Sequence, residues 1–217
     1  MPAVAEMLKA TEAAVVARVS LRDVNRVIDE RILPEALFSV DNGRHVLAGA
    51  CLFISFYFES AKRLTSEERL LAIKKMGPKL ANSRKLPWAS LLLDDWTVQD
   101  DFLTIDLKPF LRSTSERLSD LEAARAMVTS SDDVLSGTPV ISNTRVPVYD
   151  VAASLTAGHP VDRILRAYPS INEEKVRLAG IYAEANPLRG RPRAPGDRPA
   201  AAAIIADRRV PRSRTAK

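Results

Sequence analysis

The stretch Ser20-Leu-Arg-Asp-Val-Asn-Arg-Val-Ile-Asp-Glu30 decides how the first part of the chain folds. Ser20 is a good helix cap, and Asp23 completes a capping box, in which each side chain accepts a hydrogen bond from the other residue's free backbone N–H. The apolar side chains recur at helical spacing and predict a buried stripe: Leu21, Val24, Val27 and Ile28. The opposite face stays open and polar: Arg22, Asn25, Arg26 and Asp29.

A shorter helix is predicted before this one, from Thr11 to Arg18, with a turn at Val19 between the two. Small side chains in this helix allow another helix to pack closely against it: Ala13, Ala14 and Ala17. Two short helices joined by a tight turn are the pattern of a helix-turn-helix unit, whose second helix enters the major groove of DNA.

A β-hairpin is predicted after this helix pair. Apolar residues alternate from Ala36 to Val40, and Asn42-Gly43 follows. This dipeptide is the strongest short-range hairpin signal because both residues tolerate positive φ. The apolar run from Val46 to Phe58 then predicts a buried helix that ends near Ser60. The order of elements predicts a winged helix-turn-helix DNA-binding domain over residues 1–62.

Six residues of this domain are candidates for DNA contact. Arg can form a bidentate pair with guanine O6 and N7, Asn can do so with adenine N6 and N7, and Arg can instead hold a phosphate. The candidates lie on the second helix or on the predicted wing: Ser20, Arg22, Asn25, Arg26, Arg44 and His45. The alternative is that these residues form an ordinary solvated helix face.

Residues 63–131 are predicted to bridge two domains or to mediate dimerisation. Acidic residues in the first turn and lysines near the end predict a helix from Glu67 to Leu80, because these charges match the helix dipole. A hairpin with strands Leu91–Val98 and Leu103–Leu107 follows, then a helix over Ser115–Val128. The polar stretch Thr129–Asp132 is predicted to be a linker.

Residues 132–186 predict a module of three helices. Val140 and Ile141 form a short strand before the first helix, Val148–Ala157, which Gly158 ends. The second helix is Pro160–Ala167, and Asn172 caps the third, which ends at Ala185. The expected core has nine members: Val151, Leu155, Ile164, Leu165, Ile171, Val176, Ala179, Ile181 and Tyr182. The fold class of the whole chain is thus mainly α with small β hairpins, or α+β.

This C-terminal module resembles a small trihelical domain long catalogued as a domain of unknown function. The resemblance rests on the string Val134-Leu-Ser-Gly-Thr-Pro-Val-Ile-Ser-Asn-Thr-Arg-Val-Pro-Val148, followed by Ala157-Gly158, Ile164-Leu165, Tyr168-Pro169 and Asn172-Glu173-Glu174. It covers about a quarter of the chain. The resemblance implies a VapB-type antitoxin of a type II toxin–antitoxin pair, whose cognate toxin often has a PIN-like nuclease fold. Such an antitoxin represses its own operator as a dimer.

The net positive charge of the chain comes from its tail, residues 187–217. The tail holds nine Lys and Arg against two Asp, a local +7, whereas the whole chain has a formal charge of +5. It has few large apolar residues, so we expect it to be disordered when free. Arg pairs in a bidentate way with carboxylates, which PIN-like nucleases gather around a metal. The toxin-binding candidates are therefore arginines: Arg189, Arg191, Arg193, Arg208, Arg209 and Arg212.

Composition and motifs argue against several other classes. The apolar fraction of 46% and charged fraction of 27% are those of an ordinary globular protein. The run from Val46 to Phe58 is too short to cross a bilayer, which needs roughly 18–20 residues. Glu6 and Lys9 interrupt any secretory signal, so a cytoplasmic protein is expected. Cys51 is the only cysteine, so a disulfide within one chain is excluded.

Catalysis, metals and cofactors find little support in the sequence. The only two histidines, His45 and His159, lie in different predicted elements, and the glycines form no nucleotide-binding loop. Asp94-Asp95 and Asp100-Asp101 fit a solvated turn better than a metal site. We therefore expect a non-enzymatic protein without catalytic residues, metal or cofactor. Two alternatives to the antitoxin remain, a stand-alone transcription factor and a structural nucleic-acid-binding protein.

Overall fold

A computed structural model describes residues 4–188 and shows a mainly helical protein with three small antiparallel sheets. This confirms the predicted α+β class. The described residues up to Pro187 form one compact unit. Within the described residues, none of the helices has the length and apolar character needed to cross a bilayer.

The first two helices are α1 (Ala10–Ala17) and α2 (Leu21–Asp29). The predicted capping box is present, because the Asp23 amide donates to Ser20 Oγ at 3.2 Å and the Ser20 amide donates to Asp23 Oδ2 at 3.2 Å. Arg18 ends α1 in the left-handed conformation, at φ 54°, and thereby turns the chain toward α2. Val24, Val27 and Ile28 are buried as predicted, whereas Leu21 is exposed.

A three-stranded sheet lies beside these helices. Strand β2 (Phe38–Ser39) and strand β3 (His45–Leu47) form the predicted hairpin, with Asn42 and Gly43 at φ 56° and 109° in its turn. On the other side of β3 lies β1 (Met7–Lys9), which was not predicted. Its three residues have no extended pattern of their own, and pairing with β3 is what defines them as a strand.

The centre of the larger apolar cluster is α3 (Cys51–Glu59), which begins after a single 3₁₀ turn and has its first seven residues buried. The predicted buried helix is thus confirmed from Cys51 onward, whereas Val46 and Leu47, at the start of the predicted run, belong to β3. Helix α4 (Ser66–Asn82) begins at the cap Thr65, close to its predicted start. The 3₁₀ turn before α3 is Ala48–Ala50, and other single 3₁₀ turns occur in the described chain: Glu35–Leu37, Ser60–Lys62 and Leu135–Gly137.

In the middle of the chain the structure differs from two predictions, the start of the first hairpin strand and the start of the following helix. Residues Trp88–Leu93 form helix α5, so the predicted strand from Leu91 is confined to β4 (Thr97–Asp100), which pairs with β5 (Leu103–Asp106). Trp88 and Leu91 are buried together at helical spacing, and this burial favours the helix over a strand.

Helix α6 (Lys108–Ala126) begins seven residues before its predicted start. Pro109 stands in its first turn, where the missing N–H costs no hydrogen bond. Its buried residues include Leu111, Leu118 and Leu121, which continue the helical stripe along its length.

The C-terminal module follows the prediction closely. Its helices are α7 (Val148–Thr156), α8 (Val161–Ala167) and α9 (Glu173–Ala185), with Gly158 at φ 77° after the first and Asn172 capping the last. The predicted linker is partly ordered, because β6 (Val128–Thr129) pairs with β7 (Val140–Ile141). All nine predicted core residues belong to or pack against the second apolar cluster.

Candidate nucleic-acid interface

Helix α2 presents most of the predicted DNA-contacting side chains on one surface. Arg22 and Arg26 are exposed, and Asn25 is partly exposed. The Ser20 hydroxyl is already occupied, since it donates to Asp23 Oδ2 at 2.7 Å and accepts from the Asp23 amide. Arg22, Asn25 and Arg26 are therefore the side chains of α2 that can reach a ligand.

A shallow surface groove of about 990 Å³ runs along α2. It is lined by Ser20, Leu21, Arg22, Asp23, Asn25, Arg26, Asp29 and Glu30. Arg22 and Arg26 bring two positive charges, and three carboxylates oppose them. The α2 surface is therefore polar and carries charges of both signs. It lacks the excess of cations that is typical of a surface that binds only phosphate.

Two of the predicted arginines form ion pairs with carboxylates of α2 or its end. Arg26 Nε donates to Glu30 Oε1 at 2.9 Å, and this hydrogen bond raises the pKa of the guanidinium. Arg44, at the β2–β3 turn, donates to Asp29 Oδ1 at 2.7 Å. Both arginine side chains remain solvent-accessible, at 51% and 39% of full exposure, so the pairs can be remodelled by a ligand.

The Arg44–Asp29 pair fixes the place of the hairpin. Asp29 is the last residue of α2, so the turn of the hairpin lies at the C-terminal end of that helix. His45 follows on β3, is partly exposed, and has Nδ1 3.2 Å from the Gly43 carbonyl oxygen. The structure thus brings Arg44 next to α2, and it holds His45 at the base of the hairpin turn.

Arg117 of α6 makes a set of contacts with α1 and α3 that the sequence did not indicate. It donates to the Val16 carbonyl at 3.1 Å and to Ser55 Oγ at 3.3 Å. Its pKa is lowered, first by burial and then by the nearby Arg18 charge. Arg117 thereby ties α6 to the C-terminal end of α1 and to α3. No local pattern could reveal this contact, since 101 positions separate Arg117 from Val16.

Further predictions concern the tail and metal ions. The toxin-binding candidates lie outside the described residues: Arg189, Arg191, Arg193, Arg208, Arg209 and Arg212. Across residues 4–188, no group of three or more His, Cys, Asp or Glu side chains is arranged to hold a metal ion.

Residues 128–183 match the model of a family described as a protein of unknown function, DUF433. In the structure this range runs from β6 almost to the end of α9. The chain is also 70% identical, over 214 residues, to the uncharacterized protein y4eO of Sinorhizobium fredii (strain NBRC 101917 / NGR234). The alignment covers 99% of this chain and 97% of y4eO. The chain belongs to the y4eO family.

The family assignment covers both the α2 surface and the C-terminal module, because the similarity to y4eO extends over nearly the whole chain. The DUF433 match confirms the resemblance of the C-terminal module to a domain of unknown function. No solved structure matches the chain.

Proposed function

We propose that this member of the y4eO family is a DNA-binding antitoxin that acts in the cytoplasm. In this proposal its N-terminal region, as a dimer, binds operator DNA and represses transcription. Its basic tail neutralises a cognate PIN-like ribonuclease toxin. The chain itself performs no chemistry and takes no cofactor.

The observation that carries the DNA-binding proposal is the 2.7 Å ion pair between Arg44 and Asp29. It places the β2–β3 turn at the C-terminal end of α2, whose exposed face bears Arg22, Asn25 and Arg26. Helices α1 and α2 then serve as a helix-turn-helix, and the hairpin serves as its wing. In this geometry α2 enters the major groove while the hairpin lies over the neighbouring backbone.

The mixed charge of the α2 surface favours recognition of DNA bases through hydrogen bonds over general electrostatic attraction to the phosphate backbone. Asp23, Asp29 and Glu30 offset the arginines, so the nonspecific electrostatic contribution is small. Bidentate contacts do not depend on a charge excess. Arg22 is suited to guanine and Asn25 to adenine, and each such pair discriminates against the wrong base by about 1–3 kcal/mol.

The antitoxin part of the proposal rests on the C-terminal half of the chain. The module that matches DUF433 resembles the domain found in partners of PIN-like toxins, and the tail that follows it contains eight Arg and one Lys. Guanidinium groups keep their charge when desolvated and pair with carboxylates in a planar, bidentate way. A carboxylate-rich nuclease site is therefore a suitable target for Arg189, Arg191 and Arg193, or for Arg208, Arg209 and Arg212.

The test of DNA binding uses the full chain and the DNA upstream of its own gene, with random DNA of equal length as competitor. We expect Arg22→Ala and Asn25→Ala to reduce the preference for the upstream DNA, each by about 1–3 kcal/mol. Arg63→Ala is the matched control, because Arg63 is exposed but lies after α3, outside the α2 groove. Equal binding of wild type and variants to both DNAs would refute the assignment.

The test of the antitoxin role separates it from a stand-alone regulator. The product of the adjacent gene is expressed with and without the full chain, and growth and copurification are measured. Relief of growth inhibition together with copurification is the expected result. Operator binding without any effect on the neighbouring protein would favour the stand-alone regulator.

A further inference from the structure

The tip of the β4–β5 hairpin carries a large apolar side chain that the rest of the chain leaves uncovered. Phe102 is fully exposed. It occupies the two-residue turn together with Asp101, whose φ is 46°. Burial of this ring in a partner's groove would remove its apolar area from water, and aromatic side chains often act as anchors at protein interfaces.

The hairpin is held firmly against α4. Lys75 Nζ donates to the Gln99 carbonyl at 2.9 Å and to Asp100 Oδ1 at 2.7 Å. Lys79, one turn further along α4, donates to the Asp95 carbonyl at the base of the hairpin. The hairpin therefore runs back along α4 toward its N-terminus, and Phe102 projects from an anchored tip.

An apolar groove lies along the solvent-exposed face of α4, on the side opposite to the hairpin anchors Lys75 and Lys79. It has a volume of about 400 Å³ and is lined by Arg31, Ile32, Pro34, Leu70, Ile73, Lys74 and Pro78. Ile32 and Ile73 are buried and form its floor, while Leu70 is 39% exposed at its edge. Two cations, Arg31 and Lys74, flank this apolar floor.

The hairpin tip and the groove are complementary in apolar character and in charge. The tip is an aromatic ring beside the Asp101 carboxylate, since the neighbouring Asp100 is already paired with Lys75. The groove is an apolar slot beside Lys74 and beside Arg31, which lies 3.7 Å from Glu35. The Asp101 carboxylate repels DNA phosphate, so nucleic acid is a poor occupant. A partner with an apolar groove and a basic edge is favoured, and α4 of another copy has both.

The positions along α4 allow two copies to exchange these features. The groove residues Leu70, Lys74 and Pro78 follow one row of the helix, and the hairpin anchors Lys75 and Lys79 follow another row, on the opposite side of the solvent-exposed face. The tip lies near the N-terminal half of α4, at the level of the groove. In a dimer whose two-fold axis runs parallel to α4, the hairpin side of each copy faces the groove side of the other copy. The same contact therefore forms two times in the dimer.

We propose that the chain forms a two-fold dimer in which Phe102 of each copy inserts into the α4 groove of the other. This gives the dimer of the proposed function its interface, but the geometry that supports it requires neither DNA nor toxin. Two buried phenylalanines act as anchors, and the facing surfaces of the α4 helices supply the remaining area that a stable interface needs.

The first experiment measures the dimer dissociation constant by sedimentation velocity of the full chain, in the absence of DNA. Phe102→Ser should raise this constant about tenfold or more, because truncating a buried anchor typically costs over 1 kcal/mol. Leu135→Ser is the matched control, since Leu135 is 50% exposed in a 3₁₀ turn of the C-terminal module and belongs to neither the hairpin nor the groove. A monomeric wild type, or a Phe102→Ser variant that dimerises as wild type does, would overturn the proposal.

The second experiment distinguishes reciprocal exchange from misfolding or from another partner. Leu70→Glu blocks the groove and repels the acidic tip, while Leu86→Glu is its control on an exposed leucine outside the groove. Each blocked variant alone should be largely monomeric. A mixture of Phe102→Ser and Leu70→Glu restores one intact contact, so it should form a heterodimer more tightly than either variant dimerises alone. A mixture that associates no better than its components would refute the exchange. Because DNA is absent throughout, failure here leaves the DNA-binding proposal untouched.

Discussion

At the scale of single residues, the carboxylates of the α2 surface are as informative as its arginines. Glu30 holds Arg26 in an ion pair at 2.9 Å, and Asp29 holds Arg44 at 2.7 Å. On a surface that approaches DNA, such carboxylates repel phosphate and orient the guanidinium groups. They lower affinity for any DNA and thereby favour sequences that offer hydrogen bonds to the arginines.

The Arg26–Glu30 pair leads to a prediction about specificity. Glu30→Gln removes a negative charge and releases Arg26, so affinity for random DNA should rise. If the released Arg26 contacts a phosphate, the slope of log K against log salt should steepen by about 0.9. Binding titrations at several salt concentrations measure both quantities, and Glu35→Gln, exposed outside the α2 groove, is the control. An unchanged affinity for random DNA would mean that Arg26 does not approach the backbone.

The cap of α4 leads to a prediction about pH. Glu68 Oε2 accepts hydrogen bonds from the Thr65 amide at 2.6 Å and from the Thr65 hydroxyl at 2.9 Å, and these bonds lower the pKa of Glu68 below its ordinary 4.5. A lowered pKa in the folded state means that the stabilisation is present above about pH 4.5 and is lost as the pH falls through the folded value. The melting temperature of Glu68→Gln should therefore lie below wild type at neutral pH and converge with it in acid.

The control for this prediction is Glu67→Gln. Glu67 lies in the same first turn of α4 and is exposed, but it is not the capping-box residue. Its melting-temperature difference from wild type should show no comparable convergence. A Glu68→Gln difference that stays constant from neutral to acid pH would contradict the role assigned to the capping box.

At the scale of elements, the sequence predicts what is local and misses what is distant. The Ser20 cap, the Asn42-Gly43 turn and the Asn172 cap depend on neighbours within a few residues, and all three are present. Strand β1 was missed because β3, its pairing partner, lies about forty residues away. Helix α5 was mistaken for a strand, although the buried pair Trp88 and Leu91 at helical spacing was a usable signal.

The residues of the candidate site likewise fall into those that local sequence predicts and those that only tertiary contacts reveal. The exposed α2 face follows from the periodicity of its apolar residues, so Arg22, Asn25 and Arg26 could be chosen from the sequence. The ion pair that joins Arg44 to α2 spans 15 positions, and the Arg117 contact with α1 spans 101. Contacts of this range depend on tertiary packing, which periodicity does not encode.

The contacts of Arg117 predict how α6 stabilises α1 and α3. Arg117→Met keeps much of the side-chain volume but removes its hydrogen bonds to the Val16 carbonyl and to Ser55. Hydrogen bonds to charged groups typically contribute about 1.5–3 kcal/mol, and a loss in that range is expected in urea unfolding. Arg112→Met, on an exposed position of the same helix, should change stability little. Equal effects of the two variants would show that Arg117 holds no special place in the packing.

At the scale of the whole molecule, the C-terminal module and helices α1 and α2 share one compact unit. Helix α9 packs against α7 of its own module and also against α1 and α6. Ala185 belongs to the larger apolar cluster, and Ile181 packs against both clusters. Arg177 of α9 pairs with Asp120 of α6 through two hydrogen bonds of 2.8 and 2.9 Å. The DUF433 match is therefore one part of a continuous structure and not an appended domain.

The contrast between this unit and the tail predicts that the two proposed activities can be separated. A chain ending at Asn186 retains α1, α2, the β2–β3 hairpin and the whole of α9, and loses all nine Lys and Arg of the tail. It should bind upstream DNA with the same sequence preference as the full chain, because every candidate base-contacting residue remains. It should fail to neutralise the toxin, because the arginines proposed to meet the nuclease carboxylates are gone.

The measurement pairs a DNA-binding titration with a growth assay during co-expression of the neighbouring protein. A full-length chain with Arg189, Arg191 and Arg193 replaced by Gln, and a second with Arg208, Arg209 and Arg212 replaced, show which half of the tail is needed. Neutralisation by the chain that ends at Asn186 would exclude the tail as the inhibitory segment. Loss of neutralisation with DNA binding intact is the expected outcome, because the truncation removes the arginine-rich segment that is proposed to reach the carboxylates of the toxin.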